Sequence, residues 1–232
     1  MIPNSPHPDS RADVCLVLFF KSPARSKRRL AGQIGGLAQD AARRLWDCAL
    51  EDLDGWPGPG CFAPADAADL DWLDREPTEG REVVLQCGGN LGERLNHVDR
   101  SLRSRGCGKL LFIGMDCPAM DPAYLHRAAQ SLQIEDTVLG PAHDGGVVLM
   151  GARLAWPRLD DLPWSTADLH GSLIARCRSK GLSVSSLEPR GDVDNVDELL
   201  SSPEEFAGDG RPARRALADW LRRHRSFLKD EA

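Results

Sequence analysis

The chain has little of what a membrane or secreted protein requires. Its most apolar stretch runs from Val14 to Phe20, well short of the roughly 20 residues that cross a bilayer as a helix. The flanking residues Asp13 and Lys21, and the lack of a small-residue cleavage site, argue against a signal peptide. We therefore expect a soluble, cytoplasmic protein with no membrane span.

Paired cysteines, excess positive charge and the common glycine-rich nucleotide motifs are also missing. The seven cysteines are scattered without a C-x-x-C pair, which favours buried thiols over a zinc or redox site. The formal net charge of −6 argues against nucleic-acid binding. The loop after the first predicted strand has neither the P-loop nor the Rossmann glycine pattern, so any phosphate site there depends on other residues.

Apolar runs and amphipathic stretches alternate along the chain. Strands are predicted over 13–20, 61–63, 83–86, 109–114, 137–140, 146–151 and 183–187. Helices are predicted over 34–53, 67–73, 91–103, 122–132, 166–180 and 195–200. This alternation is typical of an α/β fold in which helices sandwich a mostly parallel central sheet.

The length suits one such domain over residues 13–201, preceded by an N-terminal tail, 1–12. We predict a linker over 202–211 and a basic amphipathic helix over 212–232. The apolar stripe with Trp220 and Leu221 needs a surface to cover. The parent domain or a second protomer of a homodimer is favoured over an anionic partner or membrane surface, because the whole chain is negatively charged.

Several polar side chains follow predicted strands. Asp116 ends the buried run that starts at Leu110, and ligands of open α/β sheets bind beyond the carboxyl ends of such strands. Asp116 is thus a candidate metal ligand, with a helix cap or turn as the alternative. Asp194 follows the last strand, and both carboxylates are suited to one Mg²⁺ or Mn²⁺ ion together with substrate phosphates.

A basic loop follows the first strand, with five cations between Lys21 and Arg29. Lys and Arg neutralise phosphates, so Lys21, Lys27 and Arg29 are candidate phosphate ligands; the alternative is a solvated charge run. The paired glycines Gly88 and Gly89 permit close approach of a base or ribose, or simply form a tight turn.

Four motifs carry a family resemblance: Gly114–Pro118, Val138–Gly146, Pro163–Thr166 and Asp192–Leu199. In this order they resemble a glycosyltransferase-A-like family of bacterial proteins, the selenodomain-associated or arsenosugar-biosynthesis-type glycosyltransferases. The resemblance covers about residues 13–201. More distantly, the basic loop is similar to that of the 2-phospho-lactate guanylyltransferases.

The resemblance implies a nucleotide-diphospho-sugar transferase fold, with Lys21, Lys27 and Arg29 near phosphates and Asp116 and Asp194 at the metal. The expected function is metal-dependent transfer of a glycosyl group from a nucleotide-sugar to a small acceptor. Asp144 would be the base or a group that orients the acceptor, with His143 as second choice or as an exposed loop residue. The alternatives are nucleotidyl transfer from an NTP to a phosphorylated acceptor, and a non-catalytic nucleotide-binding protein.

Overall fold

The computed structural model of the protein describes residues 11–76, 78 and 80–230, so the predicted tail lies outside it except for residues 11 and 12. The described residues form one seven-stranded sheet in the order β3-β2-β1-β4-β6-β5-β7. The strands are β1 (Val14–Phe20), β2 (Gly60–Pro64), β3 (Glu82–Val83), β4 (Lys109–Ile113), β5 (Thr137–Pro141), β6 (Val147–Ala152) and β7 (Val184–Ser186). Strand β6 runs antiparallel to β4 and β5, and the other pairs are parallel. This confirms the predicted fold class.

Eight α-helices lie between or after these strands in the described part of the chain. They are α1 (Arg28–Ile34), α2 (Leu37–Asp54), α3 (Ala67–Leu73), α4 (Leu91–Ser104), α5 (Pro122–Ile134), α6 (Leu169–Ser179), α7 (Val196–Glu205) and α8 (Pro212–Asp230). Side-chain caps fix several of their first residues: Asn90 and Asn195 each form a capping box, with Glu93 and Glu198 respectively.

The structure corrects several of the predicted elements. The helix expected over 34–53 begins only at Leu37, because the chain turns at Gly35, which adopts a positive φ of 55°. Ile34 instead ends α1, a separate helix formed by the end of the basic loop. The strand expected over 83–86 is regular only at Glu82–Val83, although the N–H groups of Val84 and Gln86 still donate to the β2 carbonyls of Phe62 and Pro64 at 2.9 and 3.0 Å.

The linker predicted over 202–211 is shorter than expected, since α7 continues to Glu205 with Pro203 inside it. Proline has no N–H for the carbonyl four residues earlier, which is why the pattern favoured a break. Here the Ser202 hydroxyl donates to that carbonyl, Leu199 O, at 2.9 Å, and so supplies the missing bond.

The sheet is covered on both faces, as its alternating strands require. In β1, Leu16, Leu18 and Phe20 point to a core shared with α2, α3 and α5, which includes Trp46. Residues Cys15 and Val17 point to the opposite core, shared with α4 and α6. Both faces of the central strands are therefore apolar, and polar groups are left to the strand ends.

The C-terminal helix α8 packs on the protein's own fold. Leu217, Trp220 and Leu228 are buried in a third core with residues of α1, α2 and α7. The fully buried Arg214 guanidinium pairs with Asp52 and donates to main-chain carbonyls after β4. Of the two packing partners predicted for the apolar stripe, the parent domain or a second protomer, the structure shows contact with the parent domain. No helix among the described residues is long and apolar enough to cross a membrane.

Candidate functional site

The chain changes direction across the sheet at β1 and β4. Strand β1 pairs with β2 on one side and with β4 on the other, so the loops that follow β1 and β4 leave toward opposite halves of the sheet. A crevice between such loops is the usual ligand site of open α/β sheets. A cavity of about 680 Å³ opens there, lined by the basic loop, the end of β4, β6 and the start of α4.

Three charged side chains meet at this crevice, and we call them the Lys27 cluster: Lys27, Asp116 and Asp194. The Lys27 Nζ lies 2.5 Å from Asp116 Oδ1 and 3.3 Å from Asp194 Oδ1. It also donates to the carbonyl of Val193. The structure thus brings the two predicted metal ligands together, with a predicted phosphate ligand between them.

Burial distinguishes the lysine from its two partners. The Lys27 side chain is 4% exposed, whereas those of Asp116 and Asp194 are 42% and 47% exposed. Burial acts to lower the pKa of Lys27, but the attraction of the two carboxylates is stronger, so its pKa is raised and the ammonium stays charged.

The backbone around the Lys27 cluster is held by contacts distant in sequence. Lys27 has φ 53° and ψ 43°, a left-handed conformation that costs a non-glycine residue about 1–3 kcal/mol. Its ion pairs keep it in place at the start of α1. The Val193 N–H donates to the Asp116 carbonyl at 2.9 Å, which ties the chain after β7 to the chain after β4.

Arg25 of the basic loop is held by two acidic side chains at the start of α3. Arg25 forms a two-pronged pair with Asp66 and lies 3.1 Å from the buried Asp69, which also accepts from the Ser22 N–H at 2.9 Å and hydroxyl at 2.8 Å. This pairing anchors the loop to α3.

Three other cations of the basic loop line the cavity. Lys21 and Arg28 make no ion pair within the described part of the chain, and Arg29 lies 3.6 Å from Asp194 with 78% of its side chain exposed. Lys21 and Arg29 therefore remain accessible, as a phosphate ligand requires, and Arg28 is a further candidate that the sequence did not single out.

The predicted glycine pair lies beside the cavity. Gly88 and Gly89 form an exposed turn outside its lining, and Gly89 has a φ of 97° that favours glycine. Arg94, which does line the cavity, donates from Nε to the Gly89 carbonyl at 3.0 Å. The buried Gln86 also lines it, and its Nε2 donates to the Ala63 carbonyl at 2.7 Å. Sequence reasoning missed both polar side chains, although they flank the glycines.

The two predicted catalytic residues, His143 and Asp144, line a second cavity of about 230 Å³ and not the first. Asp144 accepts from the Gly146 N–H at 2.8 Å, and 3.6 Å separates His143 Nε2 from Glu205 Oε1. Asp192 also lines this cavity. Burial, followed by the charges of Asp144 and Asp194, raises its pKa to about 6, so one acidic zone extends from the second cavity to the Lys27 cluster.

The two carboxylates of the Lys27 cluster would supply part of the ligand shell of a divalent cation. Within the described residues, no group of three or more His, Cys, Asp and Glu side chains is arranged to hold a metal ion. Mg²⁺ and Mn²⁺ are commonly bound by one or two carboxylates, with substrate phosphates and waters completing the shell. Asp116 and Asp194 fit that requirement, provided that a nucleotide supplies further oxygen ligands.

The comparisons with known proteins concern the family and the fold. Residues 53–166 match the family described as "Uncharacterized protein conserved in bacteria (DUF2064)", a segment that contains three of the four motifs above. No curated protein matches the chain significantly. The family match and the structural similarity described next confirm the resemblance seen in the motifs.

Several solved structures share the fold. A protein from Desulfovibrio desulfuricans G20, provisionally named a nucleotide-diphospho-sugar transferase, is 24% identical with a TM-score of 0.84, over 95% of this chain and 98% of its own. A cytidylyltransferase from Leptospira borgpetersenii is 11% identical, covers 94% and 97%, and has a TM-score of 0.55. CMP:2-keto-3-deoxy-manno-octonic acid synthetase, solved with CTP, is 12% identical, covers 84% and 99%, and has a TM-score of 0.52. At these identities the likeness establishes the fold alone.

Proposed function

We propose that the protein is a metal-dependent transferase that binds a nucleotide-sugar in the 680 Å³ cavity and transfers the glycosyl group to a small acceptor. The observation that carries this proposal is the meeting of basic-loop cations and two carboxylates at the β1–β4 crevice. The cavity volume lies within the range of about 300–1,000 Å³ that is typical of small-molecule sites.

Different parts of the nucleotide-sugar would contact the cations and the polar wall of the cavity. Lys21, Arg28 and Arg29 face the cavity without a strong competing partner and would bind the diphosphate through charge-assisted hydrogen bonds. Gln86 and Arg94 would contact the base or ribose, since they supply polar atoms to the wall between β3 and α4.

Asp116 and Asp194 would hold the Mg²⁺ or Mn²⁺ ion. When bound, such an ion offsets the negative charge that develops on the nucleoside diphosphate as it leaves. Lys21 and Arg29 would neutralise part of the same charge from the basic loop.

The second cavity would receive the acceptor, with Asp144 as base or orienting group and His143 as second choice. Among the described residues, its lining contains the carboxylates of Asp144, Asp192, Glu198 and Glu205 and no lysine or arginine. Such a surface repels phosphate groups and accepts hydrogen bonds from hydroxyls. This supports a neutral hydroxyl acceptor over a phosphorylated one.

A second candidate function is nucleotidyl transfer, in which an NTP reacts with a phosphorylated acceptor and pyrophosphate leaves. It is favoured by the fold shared with the Leptospira cytidylyltransferase and with the synthetase solved with CTP. The basic loop suits either donor. Glycosyl transfer ranks first because of the acidic second cavity.

A thermal-shift screen of nucleotides and nucleotide-sugars, with Mg²⁺ or Mn²⁺ present, would test the proposal, because a ligand of the folded state raises the Tm. We expect a nucleotide-sugar to raise it in the presence of metal, and turnover to release a nucleoside diphosphate. Pyrophosphate release from an NTP would support the second candidate. If no nucleotide or nucleotide-sugar binds, both candidate functions are refuted. A non-catalytic role in nucleotide binding is then refuted as well.

A further inference from the structure

The ammonium of Lys27 is fully occupied by acceptors of its own chain. A lysine has three N–H donors, and the Lys27 Nζ has three acceptors within reach: Asp116 Oδ1, Asp194 Oδ1 and the Val193 carbonyl. The side chain is almost completely buried, although both aspartates are accessible to solvent. Lys27 therefore acts as the internal counter-cation of both carboxylates.

A divalent cation would bind the same two carboxylates, of which Lys27 contacts the Oδ1 atoms. If the ammonium stayed in place, two cations would share one pair of carboxylates at short distance, and their repulsion would oppose metal binding. Metal binding to Asp116 and Asp194 is therefore stronger when the Lys27 Nζ has moved away. Arg29 does not present the same obstacle, because it reaches only Asp194, at 3.6 Å, and is mostly exposed.

The cavity gives the displaced ammonium a destination. Lys27 lines the cavity together with Lys21, Arg28 and Arg29, so phosphate oxygens bound by those cations would lie within reach of its flexible side chain. Phosphates would then replace the acceptors that Lys27 gives up, and the two carboxylates would become free. Breaking the ion pairs of Lys27 frees the carboxylates for the metal ion and the ammonium for the phosphates. Binding of either ligand therefore favours binding of the other.

We propose that Lys27 competes with the divalent cation for Asp116 and Asp194, so that the metal binds weakly until phosphate groups draw the lysine into the cavity. This inference rests on the proposed function for its ligand, a nucleotide, but the competition itself is a property of the metal-free protein. It assigns Lys27 a role beyond phosphate binding, as the residue that couples metal binding to nucleotide binding.

The test measures Mn²⁺ binding to the full chain without nucleotide, by electron paramagnetic resonance of free Mn²⁺. We expect Lys27→Met to bind Mn²⁺ about ten-fold more tightly than the parent, or better, since the ammonium no longer competes for the two carboxylates. Lys27→Arg, which keeps the charge, should stay near the parent value. Arg29→Met is the matched control for loss of a nearby charge and should change the affinity much less.

Two further results decide the outcome. Adding Asp116→Asn to Lys27→Met should abolish the gain, which would assign the gain to this site, and circular dichroism should show that each variant is folded. Equal or weaker Mn²⁺ binding by folded Lys27→Met would overturn the proposal, and so would a gain of equal size in Arg29→Met. Because no nucleotide is used, failure of this test is distinct from failure of the proposed function.

Discussion

Replacing Arg214 with alanine should destabilise the protein far more than replacing its neighbour Arg215. The fully buried Arg214 guanidinium pairs with Asp52 at 2.6 Å and Glu51 at 3.0 Å. It also donates to the Pro118 carbonyl at 3.1 Å and to that of Met120 at 2.8 Å. Removing one partner of a buried ion pair typically costs about 3–5 kcal/mol, because the other charge stays buried without compensation.

The lower end of that range applies here. Arg211 also contacts Asp52 and the Met120 carbonyl, so Arg214→Ala leaves both with one partner. The loss should be about 3 kcal/mol, which corresponds to a fall in Tm of roughly 6–12 °C for a domain of this size. Arg215 is exposed and has no ion pair within the described residues, so Arg215→Ala should change stability by less than about 0.5 kcal/mol.

Urea unfolding followed by tryptophan fluorescence measures both variants on the same scale. Because Arg214 binds the carbonyls of Pro118 and Met120, just after Asp116, its loss should also weaken metal-dependent nucleotide binding. The reasoning is refuted if Arg214→Ala costs no more than Arg215→Ala. That result would mean that the buried network does not hold α8 against the segment after β4.

Two further changes test the loops that carry the site. Asp69→Ala removes the acceptor that holds Ser22 and should weaken nucleotide binding, measured by calorimetry, by about ten-fold or more. Asp71→Ala, at an exposed position of the same helix, should leave the affinity unchanged. Equal affinities of the two variants would contradict the anchoring role of Asp69. Gly145→Ala would place a Cβ 2.2 Å from the Ala167 carbonyl oxygen, at a residue whose φ is 90°. It should therefore lower the Tm and reduce turnover. A parent-like Tm would show that the loop rearranges without cost.

Local signals account for the parts of the fold that the sequence predicted well. Helix α3 matches its predicted bounds, and α4 extends only one residue beyond its own, because the caps Asp66 and Asn90 directly precede the two helices and the apolar spacing lies within them. The strands of the central sheet were recognisable from apolar runs covered on both faces. Their order and the antiparallel direction of β6 depend on contacts between distant segments, which periodicity does not report.

The candidate site shows the same division. The strand-end rule indicated Asp116 and Asp194 as neighbours, and the structure does place them around one cation. The strand-end rule did not indicate that this cation is Lys27, which lies 167 positions from Asp194 in the sequence. Lys27 reaches Asp194 from a left-handed backbone conformation. The separation of His143 and Asp144 into a second cavity also follows from tertiary packing rather than from any local pattern.

Metal-dependent binding of a nucleotide-sugar at the β1–β4 crevice is expected to depend on Asp116. Isothermal titration of the nucleotide-sugar selected by the thermal-shift screen, with and without Mn²⁺, tests this dependence most directly in the parent, in Asp116→Asn and in the exposed control Asp219→Asn. We predict Mn²⁺-dependent binding in the parent and control, and a loss of about ten-fold or more in Asp116→Asn. Equal Mn²⁺-dependent binding by folded Asp116→Asn and the parent would contradict this expectation.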